Sequence, residues 1–219
     1  MSDPVGNNAP PALGEEAASL VSDEVLLRLW NRVQEDAWSD NVALNFWLHL
    51  YAKYLFSGKQ WIVGVNNSPF DNDAFDIEPL KTDLSVQYLG HAGIQTLFFH
   101  MLTGKEATRG DLAEIEDQAY VACVKYLTAN PDITLVYAVT SFGTRARIWF
   151  CRQGSDSLQE LFGSDDGSDD TAEASRYVEA HGGDAIVLRR GFSYMMTSPP
   201  VARRGINHGS RSPASSRRN

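Results

Sequence analysis

The stretch TLFFHMLTGK, Thr96 to Lys105, carries apolar side chains on both faces if it is extended. Side chains alternate along a strand, so Leu97, Phe99 and Met101 share one face while Phe98, His100 and Leu102 share the other. Such a strand belongs in the middle of a sheet. His100 is the polar exception within it. Two readings of this histidine are open: a core residue satisfied by hydrogen bonds, or an occupant of an active-site slot.

The segments around this strand supply its neighbours. TDLSVQYL alternates as a strand, and GHAG turns it back into IQTLFFHML, so the two form a hairpin. QWIVGV precedes them as a shorter strand, separated by the turn-rich, acidic NNSPFDNDAFDIEP. Ser22, Asp23 and Glu24 open a helix whose apolar stripe is Val25, Leu26, Leu29, Trp30 and Val33. Ser39 or Asp40 caps a second, ALNFWLHLYAKYLF, which stops at Ser57-Gly58. Its aromatics Phe46, Trp47, Tyr51, Tyr54 and Phe56 are expected in the core.

Downstream, Gly110-Asp111 with Glu114 reads as a capping-box start for DLAEIEDQAYVACVKYLTAN, with Leu112, Ile115, Ala119, Ala122 and Tyr126 as its stripe. Asn130-Pro131 ends that helix. TLVYAVTSF and RARIWFCR follow as two strands joined at Gly143-Thr144. Trp149 and Phe99 are expected to be buried on facing or neighbouring strands. The acidic, low-complexity region near 164–173 reads as a solvated loop, after which SRYVEAHGGDAIVLRRGFSYMM returns a small strand and a closing helix.

Composition sets the bounds. A chain of 219 residues, 43% hydrophobic and 21% charged, holds one sizeable core, here assigned to residues 20–198. Residues 1–19 read as a flexible lead and 199–219 as a disordered basic tail. The net charge of -9 argues against a uniformly basic surface but leaves room for a local basic patch. Cys123 and Cys151 form no CxxC pattern, which gives no support to a zinc site or a disulfide framework. A reducing, intracellular setting, cytoplasmic or nuclear, is expected. Neither a secretory signal nor a membrane span is read in the sequence.

The order helix, hairpin-built sheet, crossover helix and two further strands resembles the PD-(D/E)XK nuclease fold, a central mixed sheet flanked by helices. KTDLSVQYL resembles the strand bearing that family's first metal-binding aspartate, and IQTLFFHML the next strand, which normally carries Glu-x-Lys. EIEDQAYVACVKYL looks like the following helix with its glutamine, and VYAVTSFGTRARIWFCR resembles the downstream hairpin of fungal nuclease-like domains of this superfamily. The resemblance covers roughly Ser22 to Phe162.

It implies a site in which carboxylates hold Mg²⁺ and a lysine positions the attacking water. Asp83 fills the aspartate slot, and Gln118 fits the glutamine. His100 falls where the glutamate stands and Leu102 where the lysine stands. Histidine brings no negative charge to a metal that prefers oxygen, and leucine cannot position water. The resemblance therefore implies a degenerate nuclease-like domain that acts by binding DNA, RNA or protein. Two alternatives remain. One is an active Mg²⁺-dependent nuclease in which Lys105 has taken the lysine role and Glu106, Glu114 or Glu116 supplies the missing carboxylate. The other is a pure protein-interaction module. Arg145 and Arg147 share one strand face, and either form a ridge for a phosphate backbone or lie on an ordinary solvated face.

Overall fold

The computed structural model describes residues 19–36, 39–65, 83–90, 93–162 and 172–201. Most of the acidic loop and the tail beyond Val201 fall outside the described residues, as does the lead before Ser19. Helix α1 (Glu24–Glu35) is capped by Asp23, whose carboxylate accepts the Val25 and Leu26 backbone N–H groups at 2.8 and 3.0 Å. Helix α2 (Asp40–Leu50) runs into a π-helical turn, Tyr51–Leu55. Phe46, Trp47, Tyr51 and Phe56 are buried, as their spacing predicts, but Tyr54 is 38% exposed. The wider turn rotates Tyr54 off the apolar stripe, and its hydroxyl donates to Asp23.

Strands β1 (Trp61–Val65), β2 (Leu84–Gly90) and β3 (Gly93–Thr103) form an antiparallel meander. Helix α3 (Arg109–Ala129) then crosses over, and β4 (Leu135–Phe142) returns parallel to β3. A tight turn leads into β5 (Arg145–Arg152), antiparallel to β4; Gly143 takes φ 54° there, a left-handed conformation that suits glycine. Two short strands, β6 (Gln159–Glu160) and β7 (Val178–Glu179), pair with different stretches of β5, and α4 (Ile186–Thr197) closes the chain. The result is an α/β fold with an open, mixed sheet of seven strands among the described residues.

Two apolar layers cover the sheet. Leu26 and Val33 of α1, Phe46 and Trp47 of α2, and Leu188 and Phe192 of α4 pack against Phe98, Leu102, Val139 and Ile148 on one face. Leu112, Ile115, Ala119 and Cys123 of α3 pack against Phe99, Met101, Ala138 and Trp149 on the other. β3 is therefore the central, doubly covered strand that its sequence requires. Ala138 of β4 pairs with Phe99 on one side and Trp149 on the other, so both aromatics lie on one rung, one strand apart.

The start of α3 corrects one expectation. The capping box is Thr108 with Asp111: the Thr108 hydroxyl accepts the Asp111 N–H at 3.2 Å, and the Asp111 carboxylate accepts the Thr108 N–H at 2.7 Å. Asp111 is thus the third residue of the helix, not its cap, and the cap stands three residues upstream of the Asp111–Glu114 pairing that the spacing suggests. Past α4, the Ser198 and Pro200 carbonyls accept the Tyr137 and Tyr88 hydroxyls. No helix among the described residues is long and apolar enough to cross a membrane.

Candidate functional site

His100 sits midway along β3 with no solvent exposure. Its Nδ1 is 3.0 Å from the Tyr51 hydroxyl and its Nε2 is 2.8 Å from Ser141 Oγ. Trp47 stands edge-on to the ring at 5.3 Å between centroids and donates its indole N–H to the Gly143 carbonyl at 2.9 Å. Burial lowers the imidazole pKa to about 3, so the ring is neutral. A neutral imidazole has one donor and one acceptor, and the two hydroxyls occupy both. No ring lone pair remains for a metal.

Asp83 precedes β2, and its Oδ2 accepts the Leu102 backbone N–H at 2.8 Å. Leu84 pairs with His100, so Asp83, His100 and Leu102 are neighbours across the β2–β3 ladder. Burial raises the Asp83 carboxyl above its ordinary value; the Leu102 bond pulls it down, and the negative charge of Asp40 pushes it up again. Asp40, at the first position of α2, is a carboxylate that sequence spacing gives no reason to associate with Asp83. Only the packing of α2 over the sheet brings its field there. Leu102 is buried and offers no ligand.

Lys105 is engaged away from the sheet. Its ammonium donates to the Gln34 carbonyl at 3.2 Å and ties the β3–α3 loop to the end of α1. Gln34 in turn donates to Thr144 Oγ1 at 3.0 Å. Glu106 and Glu114 are exposed, and Gln118 is exposed with its amide donating to Glu114 at 3.0 Å. Gln118 and Glu116 belong to α3, which covers the sheet face opposite His100. The structure thus brings Asp83, His100 and Leu102 together, puts Glu114, Glu116 and Gln118 on a helix across the sheet, and gives Lys105 to the Gln34 carbonyl.

The expected pair of strand arginines divides. Arg145 is exposed and lies 3.8 Å from Glu179. Arg147 is not on a solvated ridge, being only 4% exposed. Its guanidinium donates to Glu160 at 2.6 Å, lies 3.7 Å from Glu116 and covers the Trp149 ring at 4.0 Å. Opposite charge and an aromatic face compensate its burial, which keeps this cation inside the fold.

Glu116 is the hub of this second polar cluster. It accepts the Ala172 N–H at 2.8 Å and the Tyr177 hydroxyl at 2.9 Å. Burial raises its carboxyl pKa; the bonds from Tyr177 and Ala172 and the charge of Arg147 oppose that rise, and Glu160 adds to it. The Trp149 indole N–H donates to Thr140 Oγ1 at 2.8 Å, and Thr140 lies 2.9 Å from the Tyr177 oxygen. Since Tyr177 gives its proton to Glu116, Thr140 donates to Tyr177, and one directed chain runs from Trp149 to the carboxylate. The signal for this cluster lay in the phase of the sequence. Arg147 alternates with Trp149 and Cys151, and Glu116 is three residues from Ala119 and four from Leu112 on the apolar stripe of α3.

Among the described residues, no group of three or more His, Cys, Asp or Glu side chains is arranged to hold a metal ion. The residues at the nuclease-like positions do not fit Mg²⁺, because one carboxylate beside a fully bonded neutral histidine and a leucine is no oxygen cage. No protein-family model, curated protein or solved structure matches this chain.

Proposed function

We propose that this chain is a PD-(D/E)XK nuclease-like domain whose catalytic positions have been taken over by packing, and that it works by binding nucleic acid or protein. The element order supports the fold half of this reading: a leading helix, a three-strand antiparallel meander, a crossover helix and a parallel fourth strand. The observation that carries the functional half is His100. It stands in the slot of a metal-binding glutamate, yet Tyr51 and Ser141 use both of its ring nitrogens inside an apolar layer.

One observation favours a second reading, an active nuclease: the negative charge of Asp40 is felt at Asp83, so a second carboxylate lies within electrostatic range of it. Plasmid and RNA nicking by the purified full chain, with Mg²⁺ or Mn²⁺ and beside Asp83→Ala, separates the two. The binding reading expects no nicking and no metal-induced rise in Tm. Metal-dependent nicking that disappears in Asp83→Ala overturns it in favour of the nuclease. Salt-titrated affinity for DNA and RNA then identifies the partner class, since phosphate contacts weaken steeply with salt and a protein-interaction module shows no such affinity to titrate.

A further inference from the structure

Strand β1 forms one edge of the sheet, and among the described residues no strand pairs with its outer side. Its register with β2 is unbroken from Trp61–Tyr88 to Val65–Leu84, and the Leu89 N–H continues it onto the Gln60 carbonyl at 3.0 Å. Antiparallel pairing alternates, so Gln60, Ile62 and Gly64 turn their main-chain groups to β2. Val63 and Val65 turn theirs outward, as does the Trp61 carbonyl, while the Trp61 N–H donates to the Gly58 carbonyl at 3.0 Å. Proteins blunt such edges with charge, proline or a bulge. Trp61–Val65 has none of these, although the chain carries a net charge of -9.

We infer that β1 pairs antiparallel with β1 of a second copy about a two-fold axis at Val63, joining two sheets edge to edge. The strand complements itself in this register. Val63 exchanges both of its bonds with Val63 of the second copy, and each Trp61 carbonyl accepts the Val65 N–H of the other. Trp61, Val63 and Val65 face the layer of α1, α2 and α4, while Ile62, 41% exposed, lies on the opposite face with Gly64. Each Ile62 then comes opposite Gly64 of the second copy, whose missing side chain leaves it room. Five residues bury less than the roughly 1,200 Å² of a stable interface, so the dimer is weak and concentration-dependent. The acidic bodies repel each other while the paired strands carry no charge, so salt strengthens the association.

Sedimentation equilibrium of the full chain, from micromolar to near-millimolar concentration and at low and high salt, tests this. The mean mass should rise from 24.2 kDa toward twice that value, and further at high salt. Ile62→Lys sets like charges across the axis at an exposed position and should hold the mass at one chain, with Tm unchanged. Ile94→Lys, at an exposed apolar site on β3 two strands from the edge, should associate as the wild type does. A wild type that keeps the one-chain mass throughout overturns the inference. So do dimers of Ile62→Lys, loss of association in Ile94→Lys, association that salt weakens, or growth past two chains.

Discussion

The Asp83 carboxylate accepts the Leu102 backbone N–H at 2.8 Å, which ties the entry of β2 to the far end of β3. The residue to which the resemblance gives a metal serves here as a strand-end acceptor. Asp83→Ala leaves that N–H without its partner and should cost about 1 to 3 kcal/mol. Asp83→Asn keeps an acceptor and should cost less. Because burial raises the folded-state pKa above the ordinary value of 3.8, the native protein binds this proton more tightly than the unfolded chain. Stability from this group is present at low pH and declines as pH rises from about 4 through the raised value. Urea titrations across that range should show the decline in wild type and its loss in Asp83→Asn; an unchanged slope in the variant contradicts the assignment.

Phe99 is fully buried, stands edge-on to Tyr126 at 5.6 Å and shares its rung with Trp149 through Ala138. Phe99→Ala should cost about 3 to 5 kcal/mol in chemical denaturation. Wild-type stability in this variant would mean that β3 is not the doubly covered strand.

The strand at Thr96 to Lys105 was legible because two-sided burial leaves a plain mark, an apolar run with no polar face. The stripe of α3 was legible for the same reason at helical spacing. Tyr54 was not, since a π-helical turn shifts the phase without any signature in composition. Nor was the cap of α3, where Thr108 competed with a Gly-Asp pair that also resembles a start. At the site, the resemblance set Asp83, His100 and Leu102 side by side; alternation alone could not, because a bulge between Val86 and Gln87 shifts the β2–β3 register. It could not show that Lys105 turns to Gln34 or that the charge of Asp40 acts on Asp83, because both depend on how α1 and α2 lie over the sheet. Arg147 looked like surface because arginine usually is, and only its partners Glu116, Glu160 and Trp149 make its burial intelligible.

Those partners give a sharp contrast between the two strand arginines. Arg147→Ala leaves Glu116 and Glu160 without their buried cation and should cost about 3 to 5 kcal/mol. Arg145→Ala, at a half-exposed pair, should stay within about 0.5 kcal/mol. Combining Arg147→Met with Glu116→Gln should recover part of the single-variant loss, because the uncompensated charge at Glu116 is removed with its partner. If Arg147→Ala proves as mild as Arg145→Ala, the cluster contributes little to the fold. A nucleic-acid affinity that drops in Arg145→Ala, with stability unchanged, would place the phosphate contact at Arg145.

His100 supplies the last prediction, and it bears on whether this site holds chemistry or structure. Its folded pKa of about 3 lies below the unfolded value of 6.5, so the unfolded chain takes up a proton that the native ring refuses. Native stability should therefore be intact above pH 6.5 and fall as pH drops toward about 3, by roughly 1.4 kcal/mol per pH unit where the difference is fully developed. His100→Asn keeps a donor and an acceptor for Tyr51 and Ser141 and should remove this acid-side slope, although the smaller side chain leaves a cavity. His100→Glu, which installs the carboxylate that the proposed nuclease-like site would need, puts an unpaired charge beside Trp47 and Phe98 and should lower Tm sharply at neutral pH, with recovery in acid as the carboxyl is protonated. Magnesium should not rescue it, because Asp83 is held by the Leu102 N–H and Leu102 adds no oxygen, which leaves the ion short of a full set of oxygen ligands. A His100→Glu protein that is stable at neutral pH and gains Tm on adding magnesium would show that the pocket is wet and can take a metal.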